Sequence, residues 1–480
     1  MASRDRVSPV GVRLAVALLS LSACATENVG PPPAAAAAST RAPEVALLWT
    51  NAELHPIAQP KAVGGVAVGI VHVAERKLML VGIDPATGHE LWRHPITPSR
   101  ITRGVAVDFV TVGEDKVAYL QPTSVINGAA ELSVADARSG AVVASTQALQ
   151  FRSPIARCGG GDVCAIASEV YGSGAQRPLR LEVATGKTTV ATTELGPRAR
   201  MLSAELLDLG DRPGNTLALL RDGEVKWRTP VSSAFPRGFT SDHGWAWHLF
   251  EREHVFVGSV GGEWTVVGPT MTFDLATASA TAGISEATGQ VLWRDRGSNF
   301  NCRMVHETYA VRCRARGVGT IQVGGPTSFQ GLHVTVEGFD VTTGKTTWSL
   351  PLGDSDELSR NRQRPAIAGA TEVLVAGPAG PLVLDHATGQ TVAASPGATF
   401  WCRVGTKYEF SMPLRRKDGA LIFTRPGGKL AAVCDERGRP ATAWPSAAAT
   451  TAAGARVGNR VVIATKRGYR GFEVRTSRSR

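Results

Sequence analysis

Asp84-Pro85-Ala86-Thr87-Gly88-His89-Glu90-Leu91-Trp92-Arg93 is one copy of a pattern that returns along the whole chain. Related turns end at Gly140 (from Asp136), Gly186 (from Glu182), Gly223 (after Asp222), Gly289 (from Ser285), Gly344 (from Asp340), Gly389 (from Asp385) and Gly438 (from Asp435). Four of the eight glycines are followed four residues later by tryptophan, at Trp92, Trp227, Trp293 and Trp348. Successive glycines lie 52, 46, 37, 66, 55, 45 and 49 residues apart, a mean of 50. A fixed offset between a turn glycine and an aromatic means one supersecondary unit copied along the chain. A period of roughly 40 to 50 residues is that of a radial β-propeller, one four-stranded blade per repeat.

Each turn has a mechanical reading. An Asp four residues before the glycine accepts backbone N–H groups and tightens the bend. Thr-Gly closes it, because only Gly takes φ > 0 there without steric cost. Apolar residues flank the turn, as in Val81-Gly82-Ile83 and Leu91-Trp92, so it joins the third and fourth strands of a blade. Side chains alternate along a strand, which places the tryptophan at Gly+4 between neighbouring blades.

These units resemble the PQQ-like β-propeller repeat, with its aspartate, small-residue stretch, Thr-Gly and Leu-Trp pair. Residues 84–93 match closely, 285–294 and 340–348 well, and the others in part. Asp222-Gly223 has lost the upstream half, and Gly438 carries its tryptophan late, at Trp444. The resemblance covers most of residues 44–475. It implies fold rather than chemistry, since this repeat serves enzymes, assembly factors and binding proteins alike.

The N-terminus is the second informative region. Arg4, Arg6 and Arg13 precede the apolar run Leu14–Leu21, which ends at Ser22-Ala23-Cys24. A basic start, an apolar stretch too short to span a bilayer and small residues before a cut make a signal peptide over 1–23. Leu21-Ser22-Ala23-Cys24 resembles a lipobox, which implies acylation of Cys24. Residues 24–43, with Gly30-Pro31-Pro32-Pro33 and the alanines 34–38, read as a tether that buries no core. The domain order is therefore signal peptide 1–23, tether 24–43, propeller 44–475 and basic tail 476–480.

Cysteine usage agrees with export. Seven cysteines less Cys24 leave six, an even number suited to an oxidising compartment. The most economical of fifteen pairings is Cys158–Cys164, Cys302–Cys313 and Cys402–Cys434. Zinc is the alternative, but Cys-x5-Cys lacks the usual knuckle spacing.

The ends are expected to meet. Val45-Ala46-Leu47-Leu48-Trp49 reads as a fourth strand without its three predecessors, and residues 454–474 supply strands without a fourth. Pairing them closes the ring and removes open sheet edges. A single all-β propeller follows, with eight blades expected within a range of seven to nine. Eight hairpins and a composite blade would make nine; taking the irregular stretch at Asp222-Gly223 as an insertion makes eight.

Catalytic patterns are scarce. Gly338 and Gly344-Lys345-Thr346 are spaced one residue too far apart for a phosphate loop, and Gly344 is a hairpin turn. Neither a Gly-x-Ser-x-Gly elbow nor a His-Glu-x-x-His helix occurs. Asp354-Ser355-Asp356-Glu357 lacks the spaced ligands of a calcium loop. His243-Gly244-Trp245-Ala246-Trp247-His248 is the densest aromatic and titratable cluster, and reads as a buried structural strand. The formal charge of +11 is concentrated towards the C-terminus, at Lys466, Arg467, Arg470, Arg475, Arg478 and Arg480. Outside the cytoplasm it does not imply nucleic acid.

Two functions fit the resemblance. The first is a monomeric, non-catalytic envelope lipoprotein, anchored through Cys24 to the extracytoplasmic face of the cell membrane, whose propeller is a protein-interaction or ligand-binding platform without a cofactor and with other envelope proteins as partners. The alternative is a quinoprotein dehydrogenase of alcohols or sugars, with PQQ and calcium. Such enzymes hold the quinone under a disulfide of adjacent cysteines, and no two cysteines are adjacent here.

Overall fold

The computed structural model describes residues 44–475, apart from 75–76, 99–106, 125–128, 171–174, 197–198, 204, 211–214, 222–223, 238, 240–245, 262–264, 268–269, 300–308, 323–326, 355–365, 378, 406–409, 413–421 and 425–428. Expectations at Cys24, Gly223 and Cys302, and those at 355–357, lie outside the described residues.

The chain is an all-β propeller protein of four-stranded antiparallel blades. Two compact units carry them, one of Pro32–Arg228, Pro365–Leu374 and Ala394–Arg480, the other including Thr229–Arg364 and Val375–Ala393. In the first unit, blade one runs through Val66–Ala74, Lys77–Ile83 and Glu90–Ile96, with the short inner strands His55–Pro56 and Lys61–Val63. Blade two is Val110–Val112, Lys116–Ser124, Ala129–Asp136 and Val142–Ser145, and blade three spans 150–190. In the second unit, one blade comprises Ala246–Phe250, Val255–Gly261, Ser279–Ser285 and Val291–Arg296. The next is built on Val311–Gln322, Thr327–Phe339 and Thr346–Asp354.

The chain ends form a composite blade. Glu44–Asn51 pairs antiparallel with Gly468–Arg475, which continues through Arg460–Thr465 to Ala455–Val457. The fourth strand is therefore supplied by the N-terminus, and its free backbone groups are satisfied as they would be inside one hairpin.

The stretch around 222–223 departs from the insertion reading. Arg200–Ser203, Leu206–Asp208, Thr216–Arg221 and Glu224–Pro230 form a complete four-stranded sheet. Its strands are short, which accounts for the spacing of 37. The extra residues lie further on, between Val255–Gly261 and Ser279–Ser285. There Thr265–Val267 and Thr270–Asp274 make a hairpin whose second strand pairs with Val311–Gln322 of the following blade. That detour produces the spacing of 66. No helix among the described residues is long and apolar enough to cross a membrane.

Candidate functional site

The repeated residues converge on the blade junctions. Trp92 Nε1 donates to the Ala137 carbonyl of the next blade at 2.8 Å, and its ring covers Gly140, where a Cβ would fall 2.6 Å from Trp92 Cγ. On its own sheet the ring lies over Gly82, its cross-strand partner. Trp293 does the same, donating to Val341 O at 2.7 Å between Gly283 and Gly344. Trp348 sits between Gly338 and Gly389. Trp49 repeats the geometry from the chain's first strand, with Gly471 on its own sheet, Gly88 on the next, and a 3.1 Å bond to Pro85 O. Each indole thus buries its ring between two glycines, and Trp49, Trp92 and Trp293 satisfy their one donor on the carbonyl three residues before the turn glycine.

Sequence explains the exceptions. Gly140 is followed at the fourth position by Ala144, and Gly186 of the next blade accordingly has only the Ala144 Cβ near it, at 4.0 Å. Trp227 is buried. Trp444 precedes the composite blade, which has no hairpin between its third and fourth strands. Without a turn to cover, it packs on Trp401 and Phe472 at centroid distances of 6.0 and 5.0 Å, with Arg470 over its ring.

The turn carboxylates are held within their turns. Asp84 Oδ1 accepts from Ala86 N at 2.9 Å and Oδ2 from Thr87 Oγ1 at 2.7 Å, while Gly88 N donates to Asp84 O. Asp136 takes N–H groups from Arg138 and Ser139, and Asp340 those of Thr342 and Thr343. Burial pulls the Asp84 carboxyl upward, but the Thr87 hydroxyl and the Ala86 N–H hold it below the usual carboxylate range. The Ser139 N–H and hydroxyl lower Asp136, and the Thr342 and Thr343 hydroxyls lower Asp340. Gly186, Gly289, Gly389 and Gly438 close their turns with the same N–H to carbonyl bond and positive φ.

One buried cluster went unread in the sequence. Arg312 and Arg314 share a face of Val311–Gln322. Glu337 Oε2 accepts from Arg312 Nε and Oε1 from Arg314 Nε, both at 3.0 Å, and Asp295 Oδ2 accepts from Arg314 Nη2 at 2.8 Å. The Arg312 side chain is 3% exposed and stacks 5.0 Å from the Phe339 ring. Burial raises the Glu337 pKa, and the two guanidiniums outweigh it, holding the carboxyl low. Its signal was the period-two arginines Arg312, Arg314 and Arg316 along one strand. Two positive and two negative groups compensate each other, so the cluster is an ionic junction between blades.

The remaining sequence candidates fall apart as sites. Trp247 lies over its cross-strand partner Gly258 and edge-on to Phe235, and His248 is edge-on to Phe250. His243 lies outside the described residues. Cys158–Cys164 and Cys402–Cys434 are disulfides, each with Cα atoms 5.8 Å apart, and Cys313 is also disulfide-bonded. Among the described residues no group of three or more His, Cys, Asp or Glu side chains could hold a metal ion.

No family model and no characterised protein sequence matches the chain. Similar solved structures include BamB from Moraxella catarrhalis, 15% identical over 90% of this chain and 100% of that one, with a TM-score of 0.36. A europium-containing methanol dehydrogenase is 10% identical over 75% of this chain and 85% of its own, with a TM-score of 0.34. The quinohemoprotein alcohol dehydrogenase from Comamonas testosteroni is 12% identical over 91% and 77%, also at 0.34.

Proposed function

We propose that the chain is an extracytoplasmic lipoprotein, acylated at Cys24 and tethered through residues 24–43, whose propeller is a non-catalytic platform for other envelope proteins. It acts as a monomer and takes no cofactor. The observation that carries this reading is where the recurring residues are used. Tryptophans that could cover a flat cofactor are wedged between a strand glycine and the turn glycine of the next blade, and the recurring aspartates accept donors from their own turns. Copied residues serve the scaffold. What differs between blades, such as the 265–274 hairpin and the hairpin of Phe410–Met412 with Ile422–Thr424, is what a partner would meet.

The anchor has its own test. Acylation contributes about 0.8 kcal/mol per buried CH₂, so Cys24→Ala should move the protein from the membrane to the soluble fraction. Mass spectrometry of the mature N-terminus should find a diacylated cysteine. A variant that stays with membranes through a salt wash removes the lipoprotein reading. Crosslinking in intact cells should then recover envelope proteins with the parent.

A further inference from the structure

Blade one carries a histidine pair that the repeat does not require. The short strand His55–Pro56 lies antiparallel to Val66–Ala74, with His55 opposite His72 and Pro56 opposite Val71. The bond from Ile57 N to Ile70 O, 3.0 Å, continues that register. Side chains alternate, so the two histidines stand on the same face as Ile57 and Ile70. Those isoleucines are buried in the blade's core, as is Leu78, which lies opposite His72 on its other flank. The imidazoles thus extend an apolar face to its open end, His55 exposed and His72 half-buried.

The backbone around the pair is pinned on both sides. Asn51 Oδ1 accepts from Glu53 N and Leu54 N at 3.1 and 3.3 Å, and Asn51 Nδ2 donates to Gly88 O at 2.8 Å. After the strand, Gln59 exchanges two hydrogen bonds with the Ala464 backbone, at 2.8 and 2.9 Å. Directly opposed residues of an antiparallel pair have Cβ atoms about 4.5–5.5 Å apart. Two imidazoles on such a base can turn one nitrogen each to a point about 2.0–2.1 Å from both, the bond length of a metal–imidazole pair.

We propose that His55 and His72 form a two-imidazole site for a borderline divalent transition ion, with water completing its shell. Copper(II) is the ion expected to bind most tightly, ahead of nickel and zinc, by the ordinary ordering for nitrogen donors. Ligation needs neutral imidazoles. A pinned strand pair fixes the backbone from which the two rings reach, so only their side-chain torsions have to order on binding.

The test is calorimetric titration of the full chain with copper(II) chloride in a non-chelating buffer. One equivalent is expected to bind, and His55→Gln or His72→Gln should each weaken it at least tenfold. His89→Gln, at an exposed histidine of the first turn, should leave it unchanged. A second measurement needs no variant: ethoxycarbonylation by diethyl pyrocarbonate, mapped by mass spectrometry, should show copper protecting His55 and His72 together. Unaltered affinity in the two variants, no binding by the parent, or protection confined to other histidines would each overturn the proposal.

Discussion

Two blade junctions place different chemistry on the same framework. Between blades one and two, His94 lies two residues after the docked Trp92, stacks on Tyr119 at 5.6 Å, and donates to the Gly140 carbonyl at 2.7 Å. Asp295 holds the corresponding place after Trp293, and there it meets Arg314 and Arg312. Register makes the correspondence strict. Tyr119 pairs with Ser133, three residues before the turn aspartate Asp136, and Arg312 pairs with Glu337, three before Asp340. At the junction with the composite blade the same place is Gly69, opposite Val81, and the Tyr469 hydroxyl fills the space its side chain would take. The tryptophan and the turn are common to the junctions, whereas the filling beside them is free to be aromatic, ionic or borrowed from the neighbouring blade. The repeat specifies a socket and leaves its contents to each blade.

The sharpest way to break this comparison is to remove one charge from the ionic junction. Arg312→Ala leaves Glu337 and Asp295 short of a buried partner and should cost about 3–5 kcal/mol. Hydrogen exchange of the 311–322 and 327–339 strands should report the loss while the 116–124 strand is unaffected. Importing the other junction's pair, as Arg312→Tyr with Glu337→Ser, should recover most of it, because Asp295 and Arg314 still pair with each other. If that double variant is as unstable as Arg312→Ala, the two junctions are not interchangeable.

A second contrast isolates the docked tryptophan. Gly140 and Gly186 have nearly equal φ, 74° and 70°, but only Gly140 lies under an indole. Alanine at either position bears the left-handed backbone strain, about 1–2 kcal/mol. Gly140→Ala should cost about 1–3 kcal/mol more, the range for forcing atoms into a packed interior. Equal losses by thermal or denaturant unfolding would mean that the tryptophan yields freely.

The smallest effect is in acid. Glu337 has a folded pKa below its ordinary value of 4.5, so its contribution is complete above pH 4.5 and is lost as pH falls through the folded value. Asp136 and Asp340 are both lowered, so each of the two blades also carries one turn carboxylate of the same sign. The blade holding Glu337 should lose exchange protection more steeply below pH 4.5, by one additional proton. Parallel slopes for the two blades would remove the ionic junction from the account.

Much of this was legible in the sequence because the repeat exposes its own mechanics. The Asp-to-Gly spacing read as a closed turn, Trp92 and Trp293 read as junction residues, and Trp49 without a preceding hairpin read as a donated strand. Those are local patterns with one physical solution. The 222–223 stretch was misread because irregular spacing cannot say on which side of a turn the extra residues lie, and pairing with the next blade decides it. Arg312 and Glu337 stayed hidden for a related reason. They are 25 residues apart, and only the register of two long strands brings them together. His55 and His72 likewise meet through strand register alone.

The central claim is that the copied residues build a platform rather than a cofactor cradle. Calorimetric titration of the purified protein with PQQ and calcium, followed by a dye-linked dehydrogenase assay on alcohols and sugars, tests it most directly. The account predicts no saturable heat at micromolar PQQ and no turnover. Stoichiometric PQQ binding with substrate-dependent dye reduction would contradict it and establish a quinoprotein dehydrogenase.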